Sequence, residues 1–481
     1  MQISELPADV LRNILLQCNP APISETCRIF ASVIHSTPSL WSTIKLGPSQ
    51  FTPEGSSFIR SRLQRAETMP IKVTIGPVCD TANASIISAL CTAISEFNTQ
   101  ITKLDILAQS SYCAGTMFGE IFCDVSGVFP ELHSLTLIAA RGNQDSHTST
   151  LPYLDKHLEH MDERFPGLRQ LFIPTLFDCM PMPPNASFNF IRSLVLHGIF
   201  QLESANLVCV ISMLHSTPQL EALWFKNATR DDDIEIHKGP DETLVETKGR
   251  RDIRAPVFLP CLTHIAVTSP GCATELLRYI VAPALQNLHL DGSRPRTFGL
   301  CCDPWISSQA KSVRNVLRVF CNNSPNLRHL ALTSAFLEQE GLEWLLFGKS
   351  TSDPPPFPQL ETLALHQLEV ANGECMCGLD NQLLLRLARE LKLPLRRLVL
   401  SACHLGLDPH ILFAALKAAA ADKSCFEFVV ADRRKPQLTE DQNEELRTAG
   451  IKVIQQQLSV VSWHSEDSTF NDVDPFDSNV Y

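Results

Sequence analysis

The stretch Pro325-Asn326-Leu327-Arg328-His329-Leu330-Ala331-Leu332 decides the fold of this chain. A proline opens it, and leucines follow at the spacing L-x-x-L-x-L. Leu330 and Leu332 flank a residue of the opposite facing, which is the period of a half-buried strand. The phrase returns as Pro130-Glu131-Leu132-His133-Ser134-Leu135-Thr136-Leu137 and as Pro358-Gln359-Leu360-Glu361-Thr362-Leu363-Ala364-Leu365. With weaker copies it occurs ten times, its final apolar strand positions being Ile106, Leu137, Ile173, Leu196, Phe225, Val267, Leu290, Leu332, Leu365 and Leu400. A strand this short cannot bury its apolar side alone, so a series of them implies stacked units sharing one core. The expectation is a solenoid with parallel strands, an architecture that commonly holds another macromolecule.

Between the strands, apolar periodicity predicts helices over 154–165, 202–215, 312–321, 381–391 and 410–421, which makes the class α/β. Intervals of about 23 to 42 residues between copies are near or above those of leucine-rich repeats, so the solenoid is irregular. The longer intervals carry insertions. The charged, apolar-poor segment 230–254 is the plainest, and Asp353-Pro354-Pro355-Pro356 is a stiff connector. The alternating Ile71, Val73 and Ile75 after Pro70 start the stack, with a partner helix over 81–97. A strand at 426–431, a helix at 440–448 and a strand at 451–454 end it. The expected organisation is a helical module over 1–46, a linker and basic helix over 47–69, a leucine-rich-repeat solenoid over 70–458 and a disordered acidic tail over 459–481.

Bulk properties narrow the function. The chain has 481 residues, 44% of them hydrophobic, and no apolar run reaches the ~18 residues of a membrane helix. Its opening, Met1-Gln2-Ile3-Ser4-Glu5-Leu6-Pro7, lacks the basic and uninterrupted apolar regions of a secretory signal, so a cytoplasmic or nuclear location is expected. Seventeen cysteines sit mostly in apolar periodic stretches (Cys91, Cys209, Cys321), where a reduced thiol packs as a small hydrophobe. A formal charge of −12 argues against a nucleic-acid surface. No phosphate-binding glycine loop and no G-x-S-x-G occur, while Cys301-Cys302 and Cys375-x-Cys377 lack paired zinc spacing. Cys403-His404, adjacent in sequence, is no evidence of a catalytic dyad. Neither an enzyme nor a cofactor is expected.

The first module has more apolar residues than about forty residues can bury. Leu6-Pro7 opens a helix in which Val10, Leu11, Ile14 and Leu15 form a stripe. Ser24 can cap a second helix with Cys27, Phe30, Ala31 and Ile34 on one face, and Pro38, Leu40, Trp41 and Ile44 close the module. The pattern Leu6-Pro7-x-x-Val10-Leu11-x-x-Ile14-Leu15, then Cys27-Arg28-x-Phe30, then Ser36-Thr37-Pro38-x-Leu40-Trp41-Ser42-x-Ile44 resembles an F-box. Followed by Arg60-Ser61-Arg62, the strand at 71–75 and the repeats, it is similar to the large F-box families of mushroom-forming fungi. That resemblance implies a substrate-recognition subunit of an SCF-type cullin–RING ubiquitin ligase. The F-box would dock on a Skp-type adaptor and the repeats would bind a client protein. The implied docking residues are Leu6, Pro7, Val10, Leu11, Ile14, Leu15, Cys27 and Phe30, in a helix-in-groove mode. The alternative is a non-catalytic repeat scaffold whose F-box-like start serves only as a cap.

On each strand the residues beside the paired leucines face away from the core. They give a client-binding surface of Phe172, Trp224, Lys226, His289, Asp291, His329 and His366, with His197, His264 and Arg397 on the same face. Trp224 beside Lys226 is the kind of anchor that interfaces favour. His264 and His329 share a register two strands apart, about 10 Å at ~4.8 Å per strand. Zinc ligands must meet within about 2.1 Å of one point, so no metal is expected there. Imidazoles titrate near neutrality, which makes a pH-sensitive contact conceivable on this face.

Overall fold

The structure, a computed structural model, describes residues 10, 11, 15, 28–52, 54–78, 84–123, 128–141, 161–174, 188–198, 204–227, 256–268, 276–291, 304–333, 336–348, 355–366, 369–372, 375–377, 386, 394–401, 409–421, 426–431 and 438–455. The chain divides into two compact units, Met1–Leu220 and Glu221–Tyr481.

The first unit is built on β1 (Thr43–Leu46), β2 (Ile71–Val78), β3 (Ile101–Ser110), β4 (Ser134–Arg141), β5 (Gln170–Pro174) and β6 (Ser193–Gly198). Each pairs in parallel with the next. Its helices are α1 (Arg28–His35), α2 (Gly55–Arg65), α3 (Ala84–Ser95), α4 (Ser111–Cys123), α5 (Met161–Arg164) and α6 (Ser204–His215). The sheet begins earlier than the expected boundaries at 46 and 70. Thr43-Ile44-Lys45-Leu46 alternates exposed and buried side chains and is the edge strand, so it belongs to the stack and not to a separate module. The basic helix expected within 47–69 is α2, which buries Ile59 and Leu63. Gly55 opens it, because a Cβ there would lie 2.0 Å from the Gln50 carbonyl oxygen. At Gly76 the chain adopts φ +127° where β2 and β3 slip register, a conformation that L side chains rarely take.

In the second unit the strands β7 (Ala222–Asn227), β9 (His264–Thr268), β11 (Asn287–Asp291), β12 (His329–Thr333), β14 (Thr362–His366), β17 (Arg397–Ser401), β18 (Phe426–Ala431) and β19 (Ile451–Gln455) pair in parallel in that order. Small sheets accompany them. β8 (Val257–Phe258) pairs with β10 (Ile280–Val281), and β13 (Phe336–Glu338) with β15 (Glu369–Asn372) and β16 (Cys375–Cys377). The helices are α7 (Pro304–Asn323), α8 (Gln339–Phe347), α9 (Pro409–Ala421) and α10 (Glu440–Thr448). Thr439 caps α10, accepting from the Gln442 N–H while the Gln442 side chain accepts from Thr439.

All ten predicted final strand positions fall in parallel strands, and the nine whose side chains are described are buried. Each contributes about 1.5–3 kcal/mol by burial. The repeat holds a further buried position that the leucine spacing does not show. The residue before the turn proline is almost fully enclosed in Phe129, Phe165, Thr217, Leu259, Ala282, Ser324 and Phe357. Its carbonyl accepts from the leucine three residues on, as in Leu327 N–H to Ser324 O (3.3 Å) and Leu360 N–H to Phe357 O (3.1 Å). Proline presets the φ that the second place of such a turn requires.

Successive coils are joined by one recurring device. At several strand entrances a single carbonyl of the earlier coil accepts two consecutive N–H groups of the next. Arg169 and Gln170 both donate to His133 O at 3.0 Å, and Arg328 and His329 donate to Gln286 O at 2.9 and 2.8 Å. Glu361 and Thr362 donate likewise to Arg328 O, and Arg396 and Arg397 to Glu361 O.

The expected helices at 81–97, 202–215, 312–321, 410–421 and 440–448 are present as α3, α6, α7, α9 and α10. Of the helix expected at 154–165, α5 is the described part. The predictions for 230–254 and 459–481, and most of 381–391, lie outside the described residues.

Candidate functional site

Strand register sorts the outward side chains of the second unit into three rows. The first row runs His264, Asn287, His329, Thr362, Arg397, Glu427 and Lys452. The middle row runs Trp224, Ala266, His289, Ala331, Ala364 and Val399. The third runs Asp291, Thr333 and His366. Parallel pairing without a slip is what aligns these positions, and the leucines between them fix which face they take.

The first row is a polar ladder. The His264 ring lies 2.7 Å from Thr263 Oγ1 through Nδ1 and 2.8 Å from Asn287 Nδ2 through Nε2. His264 and His329 share this row with Asn287 between them. Further along, Glu427 receives Arg397 at 3.3 Å and Lys452 at 3.1 Å.

The middle row alternates bulk and gap. Trp224 is half-buried and has Ala266 beside it, while His289 is followed by Ala331 and Ala364. Ala331, Ala364 and Val399 are buried together on this face, at 2%, 8% and 3% exposure. They form the floor beside His289, Asp291, Thr333 and His366.

Three of these four side chains interact with one another. His289 Nε2 meets Thr333 Oγ1 at 2.9 Å. Burial pushes the His289 imidazole down to about 4, with His366 adding to the effect. Burial likewise holds His366 at about 4, with the Arg397 guanidinium contributing. Both rings are therefore neutral at physiological pH. Asp291 moves the other way, its carboxyl pushed by burial up to about 7. Its Oδ1 is buried and has no hydrogen-bond partner among the described residues.

The expected client-binding residues thus separate. Trp224, His289, Asp291, His329 and His366 lie on one unit's outward face within these rows. Lys226 is in β7 and His197 in β6, with side chains outside the described part of the chain. Phe172 requires correction. It occupies an outward strand position in the first unit but is only 7% exposed, because in-register Thr136 and Val195 flank its ring and close it off from a client. The histidines and Asp291 also differ from an open polar surface, since dense surroundings desolvate them.

At the other end of the first unit, the implied docking residues are divided too. Val10 is 42% exposed, Phe30 is half-buried, and Leu11 and Leu15 are buried at 3% and 1%. Leu11 and Leu15 are a second correction, because the chain's own core already takes them up. Leu6, Pro7, Ile14 and Cys27 lie outside the described residues. Trp41 is buried, donates its Nε1–H to Ile34 O at 2.9 Å, stacks on His35 at 6.1 Å and carries Arg65 over its ring at 4.7 Å. Arg62 lies over the other part of that ring at 5.8 Å and reaches Thr43 O, so α1, β1 and α2 are locked to each other.

Cys91 is enclosed, and burial raises its thiol far above the ordinary range, while Cys321 donates to Pro356 O at 3.0 Å. Such thiols are structural. Among the described residues no three His, Cys, Asp or Glu side chains are grouped to hold a metal ion. No described helix is long and apolar enough to cross a membrane.

No family model matches the chain, and no curated protein matches it. Among solved structures, it is similar to a Bacteroides fragilis protein determined by a structural genomics consortium. The two share 15% identity over 68% of each chain, with a TM-score of 0.31.

Proposed function

We propose that this chain is the non-catalytic substrate receptor of a cullin–RING ubiquitin ligase. Its N-terminal helices recruit a Skp-type adaptor, and a leucine-rich-repeat solenoid offers the outward face around Trp224 and His289 to a client protein, in the cytoplasm or nucleus. The observation that carries this reading is the direct succession of Leu6-Pro7, Val10-Leu11, Cys27-Arg28-x-Phe30 and Thr37-Pro38-x-Leu40-Trp41 into a parallel-strand repeat stack. Val10 remains exposed as an apolar contact for a groove. The test is co-purification of the full chain with a Skp-type adaptor, beside a Val10→Asp variant that leaves the buried Leu11 and Leu15 untouched. Adaptor should accompany the wild-type chain and be lost from the variant. Equal and negligible recovery from both would end the ligase role.

A second reading has its own observation. Leu11 and Leu15 are buried, and Trp41 is clamped between α1 and α2, as expected of a cap on the first coil. If the cap is its whole purpose, deleting residues 1–42 lowers the melting temperature of the remainder, and no adaptor binds the intact chain.

A further inference from the structure

We propose that Asp291 is the receiving site for a cationic side chain, lysine or arginine, of the client protein. This rests on the receptor reading above and specifies what its outward face recognises.

A carboxylate removed from water without a donor or counter-ion is costly, and folded chains rarely keep one without use. Asp291 is such a group: Oδ1 is buried and without a hydrogen-bond partner, yet the residue as a whole keeps part of its surface. It stands at the end of β11, with Thr268 and Thr333 in register on either side, and is partly exposed. Among the described residues, two groups that could have answered it are otherwise disposed. Thr333 Oγ1 is engaged with His289 Nε2 at 2.9 Å. Arg397 lies three strands away in the first row and pairs with Glu427.

The chemistry around the carboxylate selects the ligand. His289 and His366 are uncharged at neutral pH, so they do not repel an incoming cation. The floor of Ala331, Ala364 and Val399 supplies apolar contact for an alkyl stem. An ammonium or guanidinium would complete the missing hydrogen bonds and cancel the buried charge in one contact. The chain's net charge of −12 favours the approach of a basic partner over a long range.

The experiment selects binders to the immobilised full-length chain from a displayed library of random twelve-residue peptides. Two variants are compared with it. Asp291→Asn removes the charge, and His289→Lys places a cation within the chain to occupy the carboxylate. Selected peptides should share a lysine or arginine at one position, and replacing it by norleucine should weaken binding by about tenfold or more. Both variants should lose binding to a similar degree, and Asp105→Asn in the first unit should not. If Asp291→Asn fails to fold, His289→Lys decides alone. Selected peptides without a shared cation, peptides retained equally by a folded variant, or no selected peptide at all would overturn the proposal. Adaptor recovery by the intact chain is independent of Asp291, so its persistence would show that only this inference has fallen.

Discussion

Asp105 in the first unit and Asp291 in the second stand at outward strand positions, each two residues after a polar side chain on the same face. Lys103 precedes Asp105 and reaches it at 3.3 Å, and Thr74 on the neighbouring strand donates to it at 3.2 Å. His289 precedes Asp291, is uncharged at neutral pH and is turned to Thr333 instead. One carboxylate is therefore answered by its own fold and the other is not. The contrast teaches that a strand position does not determine what a carboxylate does. Its neighbours across the ladder decide whether it is structural or kept available.

The widest gap between the two should appear in stability against pH. Asp291 has a folded pKa of about 7 against an ordinary value of 3.8, so its contribution is intact below pH 3.8 and is lost as pH rises through 7. Asp291→Asn should leave stability at pH 4 nearly unchanged and raise it at pH 8, by on the order of 2 kcal/mol once partial exposure is allowed for. Thermal unfolding at the two pH values measures this, and an identical change at both would break the contrast. The opposite sign holds for the rings beside it. His366 has a folded pKa of about 4 against 6.5, so its contribution is present above pH 6.5 and is lost as pH falls through 4. His366→Gln should reduce the acid lability of the chain between those values by about 1 kcal/mol, read from urea midpoints along the same pH series. The smallest effect belongs to the first unit. Lys103→Met removes one of the two partners of Asp105 and leaves Thr74, so it should cost about 1 kcal/mol or less, visible as a minor shift in melting temperature. A larger loss would mean that Asp105 is as poorly served by its surroundings as Asp291.

Much of the fold was legible because leucine spacing reports directly on which side chains face inward. The positions Ile106 to Leu400 needed only the two-residue period of a strand. β1 was hidden because Thr43-Ile44-Lys45-Leu46 is four residues long and follows a string better explained by a helical module. α4 was missed although Met117, Phe118, Ile121 and Phe122 carry helical spacing, since Gly115 and Gly119 interrupt a convincing pattern. The enclosed residue before each turn proline escaped notice because its chemistry varies from Phe129 to Thr217 to Ser324, and only its burial is constant. For the site, alternation placed His289, Asp291 and His366 on one face correctly. What it could not convey was their desolvation, which is set by burial in the folded chain and not by spacing. Burial of Phe172, Leu11 and Leu15 is likewise a property of neighbours and not of spacing.

The paired N–H groups at several strand entrances have a consequence for how the molecule is made. In each pair described, the accepting oxygen belongs to the coil synthesised first: His133 before Arg169 and Gln170, Gln286 before Arg328 and His329, Glu361 before Arg396 and Arg397. At these entrances the growing chain meets its docking point already laid down. Coils can be added in order as they leave the ribosome, each using the last as its template and none waiting for the far end of the chain to appear.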